Sequence, residues 1–418
     1  MGQKIAKKEP ERGARLYDEQ RFEEAIEEFK LCLTRKPKSS EEFLLYGQIC
    51  RCYLDIGKTG EALDFANKQM EQANQSNDNS MKSEAFFHLA VCNELIGEFS
   101  KSISFCRNSL QIDETQNQLK AYLYLCLGNS YVGLSEFPKA WKSYYTALSI
   151  AHTNGDKLIE ILVNTRLGIL FTSLNDYDGG IDYCSKAWDL VNDIKESDPN
   201  IKYRRLVGVS LAVPYRKTGR YKDCTDLCED AMKVAMLYGD TVVQVRCMVL
   251  FADIHRRRGD NERALPRYES ALSLMERIGD RVGQVDALLG MSKTHTNLLK
   301  PQKAIELALK ALEIAQKVGN KLQMLRCHSS LKSLYFDTRE TTLSSRHHTL
   351  MKQLAEETDL YCGMCDDMMG QQPERLSVLI CGHFIHGRCS SAKSESRQFC
   401  AICKKKPVTN LSSAAIDG

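Results

Sequence analysis

No stretch of this 418-residue chain approaches the ~18 consecutive apolar residues needed to cross a bilayer, so no transmembrane helix is expected. Its start, MGQKIAKKEPERG, carries charge but no apolar core, which argues against a secretory signal. An excess of charge of one sign is also lacking. The 57 Lys and Arg against 54 Asp and Glu leave a formal +3, too little to suggest a nucleic-acid partner. What is present is a foldable mixture, 43% apolar and 27% charged, rather than a disordered one. The length exceeds one ordinary core, so several domains or an extended repeat array are expected. Cysteine is plentiful, at 17. Without a secretory signal a reducing compartment is expected, where metal binding or plain burial accounts for thiols better than disulfides do. Eleven cysteines are scattered before residue 330, and six fall between Cys362 and Cys403.

The first 320 residues repeat. The segments GARLYDEQRFEEAIEEF, LGNSYVGLSEFPKAWKSY, LGILFTSLNDYDGGIDYC and LAVPYRKTGRYKDCTDLC share a small residue, an aromatic three positions on, a second aromatic and a further small residue in one order, two of them with a Gly between the aromatics. A small residue opens the second half of each unit at Ala25, Ala62, Ser102, Ala140, Gly180, Cys224, Ala264 and Ala304, with gaps of 37, 40, 38, 40, 44, 40 and 40. Eight units with a period near 40 indicate a solenoid. Two antiparallel helices approach closely only where side chains are small, and aromatics fill the gaps between units. Small residues recur seven positions later, as at Ala140 and Ala147, which keeps them on one helix face. Gly155-Asp156, Gly239-Asp240, Gly279-Asp280 and Gly319-Asn320 pair a residue that ends one helix with one that caps the next. Pro138 and Pro301 stand where a helix should begin.

This pattern resembles tetratricopeptide repeats in a 40-residue form, which implies an all-α superhelix of about eight helix pairs over residues 10–320. Departures are local. Pro214 and Pro266 fall inside expected helices and should kink them, since an interior proline costs about 3 kcal/mol. The unit around Ala62 lacks its aromatics, and the 44-residue gap places an insertion near residues 196–200. Cys32, Cys50, Cys106, Cys184, Cys224 and Cys228 stand where other units carry small or apolar residues, and are read as packing groups rather than ligands. The basic run His255-Arg256-Arg257-Arg258 is read as a solvated helix end, with capture of an acidic partner as the alternative.

Residues 321–358 read as a capping or short coiled-coil helix. Leu322, Leu325, Leu331 and Leu334 face the last repeat, and Leu343, Leu350 and Leu354 extend the stripe. A coiled-coil register would place His347 in its core, while His347-His348 as a pair is read as surface.

Residues 359–406 carry the second cysteine group. Cys362, Cys365, Cys381, His383, His386, Cys389, Cys400 and Cys403 follow the spacing C-x2-C-x15-C-x-H-x2-H-x2-C-x10-C-x2-C. Eight such donors make two closed tetrahedral sites, a structural rather than catalytic use of zinc. The segment is too small to fold on apolar burial alone, so two zinc ions should supply its folding energy. The spacing is similar to RING domains of the two-histidine type. That resemblance implies a cross-brace: Cys362, Cys365, His386 and Cys389 on the first zinc, Cys381, His383, Cys400 and Cys403 on the second. Pairing in sequence order, as in a two-knuckle ribbon, is the alternative. RING domains recruit ubiquitin-conjugating enzymes, and the family's contact positions fall on Met364, Ile402 and Lys404. Ser396 and Ala401 replace the usual Trp and Pro of that docking groove. Residues 407–418 read as a flexible tail.

At the other end, residues 1–9 read as a membrane-anchor segment. Gly2 follows Met1 as in N-myristoylated chains, although Ala6 stands where Ser or Thr is usual. Lys4, Lys7 and Lys8 would supply the second signal that a single acyl chain needs. A myristoylation-like start, 40-residue repeats, a linking helix and a C-terminal two-histidine RING, in this order, resemble the rapsyn family. The resemblance implies a scaffold at the cytoplasmic face of the postsynaptic membrane. It would bind the cytoplasmic region of the nicotinic acetylcholine receptor, self-associate, and reach dystroglycan and the actin cytoskeleton through the zinc module. A RING ubiquitin ligase whose repeats select substrates, or a soluble repeat adaptor with no anchor, are the competing readings.

Overall fold

The computed structural model describes residues 11–76, 78–112, 117–195, 198–391, 400 and 402–404. Helices follow one another in antiparallel pairs. The first four pairs are α1 (residues 11–18) with α2 (Phe22–Thr34), α3 (Ser39–Asp55) with α4 (Thr59–Ser76), α5 (Asn79–Leu95) with α6 (Phe99–Leu110), and α7 (Asn117–Gly133) with α8 (Phe137–Asn154). Next come α9 (Lys157–Ser173) with α10 (Tyr177–Asn192), and α11 (Tyr203–Lys217) with α12 (Tyr221–Leu237). The last three are α13 (Thr241–Arg257) with α14 (Asn261–Ile278), α15 (Arg281–Asn297) with α16 (Pro301–Val318), and α17 (Lys321–Asp337) with α18 (Thr341–Glu357).

Each of the eight periodic small residues is the fourth residue of the second helix in its pair, and all eight are buried. Their size sets the distance between helices. A Cβ at Gly128 would fall 2.4 Å from the Tyr144 ring, so only glycine lets that ring lie on the neighbouring backbone. The Gly-Asp junctions work as caps. Gly155, Gly279 and Gly319 adopt left-handed conformations, with φ of 67°, 76° and 77°, at the ends of α8, α14 and α16. Asp156, Asp240, Asp280 and Asn320 then accept backbone N–H groups in the first turns of α9, α13, α15 and α17.

The pairs wind into a superhelix whose successive turns touch. Lys202 Nζ donates to Tyr17 Oη at 2.9 Å across 185 residues, and Arg205 Nη1 to Gln20 Oε1 at 2.7 Å across another 185. Arg281 Nη1 meets Glu98 Oε1 at 3.0 Å across 183 residues, and the Leu322 amide donates to Ser135 Oγ at 2.8 Å across 187. A constant separation near 185 residues means that one turn takes between four and five repeats. First helices line the lumen, which holds a cavity of about 780 Å³ bordered by Arg51, Glu94, Tyr122, Arg166, Lys202 and Arg246.

Three expectations change. The single helix expected over 321–358 is a hairpin, α17 and α18, broken where Arg339 takes a φ of 63°. It continues the repeat: Ser344 stands 40 residues beyond Ala304, is the fourth residue of its helix, and is buried, with Oγ donating to Lys332 O at 2.9 Å. His347 is not at the surface. It is buried, stacks on Tyr335, and has Nδ1 2.8 Å from Nδ1 of His328. Pro214 and Pro266 lie inside α11 and α14, which run on through them. The basic end of α13 is only partly solvated, because Arg256 turns inward to Asp253 at 3.0 Å.

Candidate metal centre

Beyond α18 the chain leaves the helical pattern and forms a short hairpin, β1 (Leu376–Val378) with β2 (Phe384–His386), followed by α19 (Gly387–Ser391). The turns around it present the sulfurs. The Cys362 amide donates to Asp367 O at 2.8 Å and the Asp366 amide to Cys362 O at 3.0 Å, closing a knuckle that aims Cys362 and Cys365 the same way. The Lys404 amide donates to Cys400 O at 2.8 Å, making the equivalent knuckle for Cys400 and Cys403. Pairing of Leu376 with His386 holds His386 at the end of β2, beside the first knuckle.

Two groups of donors result, Cys362, Cys365, His386 and Cys389 in one, and Cys381, His383, Cys400 and Cys403 in the other, with ligand atoms in each within 4.8 Å of one another. The sets interleave along the chain instead of pairing in sequence order. His386 Nδ1 lies 3.3 Å from Cys365 Sγ and 3.8 Å from Cys389 Sγ, and His383 Nδ1 is 3.3 Å from Cys381 Sγ. His386 Nε2 faces Glu374 Oε1 at 3.2 Å, the carboxylate–histidine arrangement that orients a metal-bound imidazole.

The donor chemistry suits a dication. Burial, together with the neighbouring sulfurs of Cys362 and Cys389, pushes the Cys365 thiol up to about 12. Burial likewise pushes Cys400 up to about 12. Thiols crowded in this way ionise only if a positive ion is placed among them, and three sulfurs with one imidazole form a closed tetrahedral set for zinc. Such a set leaves no open coordination position, so it can organise the chain but offers no site for a substrate.

The module is seated on the repeats. Phe384 packs against Phe171 and Trp141, with ring centroids 5.8 and 6.5 Å away. Asn175 Nδ2 donates to Gly370 O at 2.7 Å, and Arg375 pairs with Asp182. Asp176 is the polar pivot. Only 1% exposed, it accepts the Gly179 amide at 2.7 Å, capping α10, and the Leu376 amide at 2.8 Å, holding β1. Burial raises its carboxyl above the usual range, and these two amides work against that rise. Sequence reasoning missed this residue, since its cap signal is local while its second partner is 200 residues away. Asp176→Ala is expected to destabilise the protein by about 2–3 kcal/mol, because it removes a helix cap and leaves a buried amide without an acceptor. Urea unfolding measures the loss, and faster proteolysis between residues 360 and 391 should accompany it.

Met364 and Ile402 are half-buried beside the metal-ligand groups, and Lys404 is exposed. Ser396 and Ala401 lie outside the described residues, as do Gly2, Lys4, Ala6, Lys7 and Lys8. Among the described residues no helix is long and apolar enough to cross a membrane.

Solved structures share the fold at low identity. The crystal structure of Rap protein complexed with competence and sporulation factor superposes with a TM-score of 0.62 at 9% identity, covering 85% of this chain and 99% of that one. The apo form of the quorum sensor NprR from B. thuringiensis gives a TM-score of 0.52 at 12% identity, over 85% and 99% of the two chains. The model of the rapsyn N-terminal myristoylation and linker region matches residues 1–80, and a tetratricopeptide-repeat model matches residues 209–277. Over 410 residues, 98% of this chain and 99% of the relative, the sequence is 34% identical to the 43 kDa receptor-associated protein of the synapse of Tetronarce californica. The Gallus gallus protein of that name is 35% identical over 411 residues, again 98% and 99% of the two chains. Likeness at this level along the whole length, through repeats and Cys/His module alike, makes this chain a member of the rapsyn family.

Proposed function

We propose that this chain is a peripheral scaffold of the postsynaptic membrane that gathers nicotinic acetylcholine receptors and links them to the cytoskeleton. The observation that carries this reading is the end-to-end likeness to synaptic receptor-associated proteins, joined to two Cys/His donor groups that could each hold a metal ion. Zinc in the two Cys3His sets would hold the C-terminal module in shape against α8, α9 and α10. The repeats would supply the receptor-binding and self-associating surfaces, because linked weak sites gain avidity through effective concentration. Gly2 would carry the lipid, in keeping with the myristoylation-region match over residues 1–80. The zinc module would face dystroglycan and the actin cytoskeleton.

Ligase activity is the second reading, favoured by Met364 and Ile402 flanking the metal-ligand groups with exposed Lys404 beside them. Substituting Met364→Ala with Lys404→Ala, all eight donors kept, separates the two readings in cells that express receptor. Receptor clusters are expected to persist while ubiquitin discharge from a conjugating enzyme is lost. Collapse of clustering in this folded variant would overturn the scaffold reading. Gly2→Ala is expected to move the protein out of the membrane fraction, and unchanged fractionation would remove the lipid from the account.

A further inference from the structure

The last helix pair departs from the one before it at two buried positions. Leu288, the eighth residue of α15, and Leu307, the seventh of α16, belong to one apolar cluster. One period later, at the eighth residue of α17 and the seventh of α18, stand His328 and His347. They are buried as well, 5% and 9% exposed. Two titratable rings have taken the place of two leucines.

The rings are in direct contact. His328 Nδ1 lies 2.8 Å from His347 Nδ1, the ring centroids are 5.0 Å apart, and Tyr335 stacks on His347 at 5.4 Å. Two ring nitrogens at this distance form a hydrogen bond only when one carries a proton and the other a lone pair. The neutral pair meets that condition with one ring protonated at Nδ1 and the other at Nε2. The donor ring can gain a proton at Nε2 and still donate. The acceptor ring cannot be charged in place, because a proton on its Nδ1 would leave one N–H facing another. Nothing nearby would offset a second charge. Among the described residues neither ring is in an ion pair, no charged group of α15, α16 or the zinc module shifts either ring, and Arg346 of α18 adds positive charge beside His347. Burial, and then His347, push His328 down to about 4; burial, and then Arg346, lower His347.

The hairpin gives the pair its reach. α17 is tied to the first turn through the Leu322 amide on Ser135 Oγ and through Arg326, which donates to Ser173 O at 2.8 Å. α18 lies on α17 and runs into the zinc module. Its Ala355, with Leu360 just beyond it, shares a core with Cys362, Met369 and Phe384, and the Met369 amide donates to Leu360 O at 2.9 Å.

We propose that His328 and His347 form an acid-sensitive latch holding α18 against α17, and that protonation of both rings releases α18 together with the zinc module it carries. A buried imidazole with a depressed native pKa stabilises the closed hairpin above its unfolded value near 6.5, and that contribution is lost as pH falls toward 4. Each ring that must charge on opening raises the opening equilibrium by up to about tenfold per pH unit.

The test follows amide deuterium exchange of α18 in the full-length, zinc-loaded chain, corrected for the intrinsic pH dependence of exchange. Between pH 6.5 and 5.5 the opening equilibrium of α18 should rise about tenfold, while that of α3 stays unchanged. His328→Leu with His347→Leu restores the residues of the preceding pair and should abolish the rise, with all eight Cys and His donors kept. Nitrogen-15 spectra of the parent at pH 7.5 should show one of the two rings protonated at Nδ1 and the other at Nε2, a readout that survives failure of the double variant to fold. No rise in the parent, an equal rise in the double variant, or two rings of one tautomer would each overturn the proposal; the second outcome would assign the acid step to loss of zinc.

Discussion

Chelating zinc from the purified chain is expected to shift Trp141 fluorescence to the red while most of the helical signal stays. The zinc module has three-residue strands and the short helix α19, too little apolar core to hold its shape unaided. Structural zinc supplies about 10–16 kcal/mol of apparent binding free energy to such modules, so loss of the ions should unfold this one. Repeat arrays are stabilised by neighbour contacts, so the helix pairs should survive. Trp141, 5% exposed, touches Phe384 of the module, whereas Trp188 lies in α10. With only two tryptophans in the chain, a Trp188→Phe background reports on the seat alone. Cys362→Ser or Cys400→Ser should reproduce the shift without chelator. Full loss of helicity on chelation would show instead that the repeats depend on the module, and an unchanged spectrum would mean that Phe384 does not cover Trp141.

The second large effect is expected at Asp253. Its carboxylate is shared by Arg216 and Arg256 and also accepts from Tyr268 Oη at 2.5 Å. Burial works to raise its pKa, but the two guanidinium groups and the Tyr268 hydroxyl outweigh that and hold it at about 2. Asp253→Ala should cost about 3–5 kcal/mol, because the buried Arg216 and the half-buried Arg256 are then left facing each other without a counter-charge. Chemical denaturation of parent and variant at pH 7 measures the difference. Its pH dependence has a definite sign. A carboxyl with a depressed native pKa stabilises the fold above its unfolded value near 4, and that contribution is lost as pH falls toward 2. The parent's advantage over Asp253→Asn should therefore shrink by roughly 2 kcal/mol across that window. A gap that stays constant from pH 5 to pH 2 would mean that Asp253 is not held ionised by its neighbours.

The helix pairs were readable because their signals are short-range. A small residue at the fourth position of each second helix, a glycine before an Asp cap, and two cysteines three apart act through the adjacent turn, so composition and spacing suffice to place them. Even the ninth pair was within reach, since Ser344 keeps the 40-residue step from Ala304; the leucine stripe through 322–354 concealed the break at Arg339. The inward turn of Arg256 and the burial of His347 were not readable, because each depends on which neighbouring helix stands opposite.

By itself the sequence determined a solenoid of helix pairs ending in a Cys/His module, along with the eight donors able to ligate metal. Only the tertiary structure decided that turns meet every 185 residues or so and that Phe384 and Asp176 join the module to the repeats. The reason is geometric: a small rotation per repeat, compounded over four to five repeats, sets which distant faces touch, and no local pattern of residues encodes that sum.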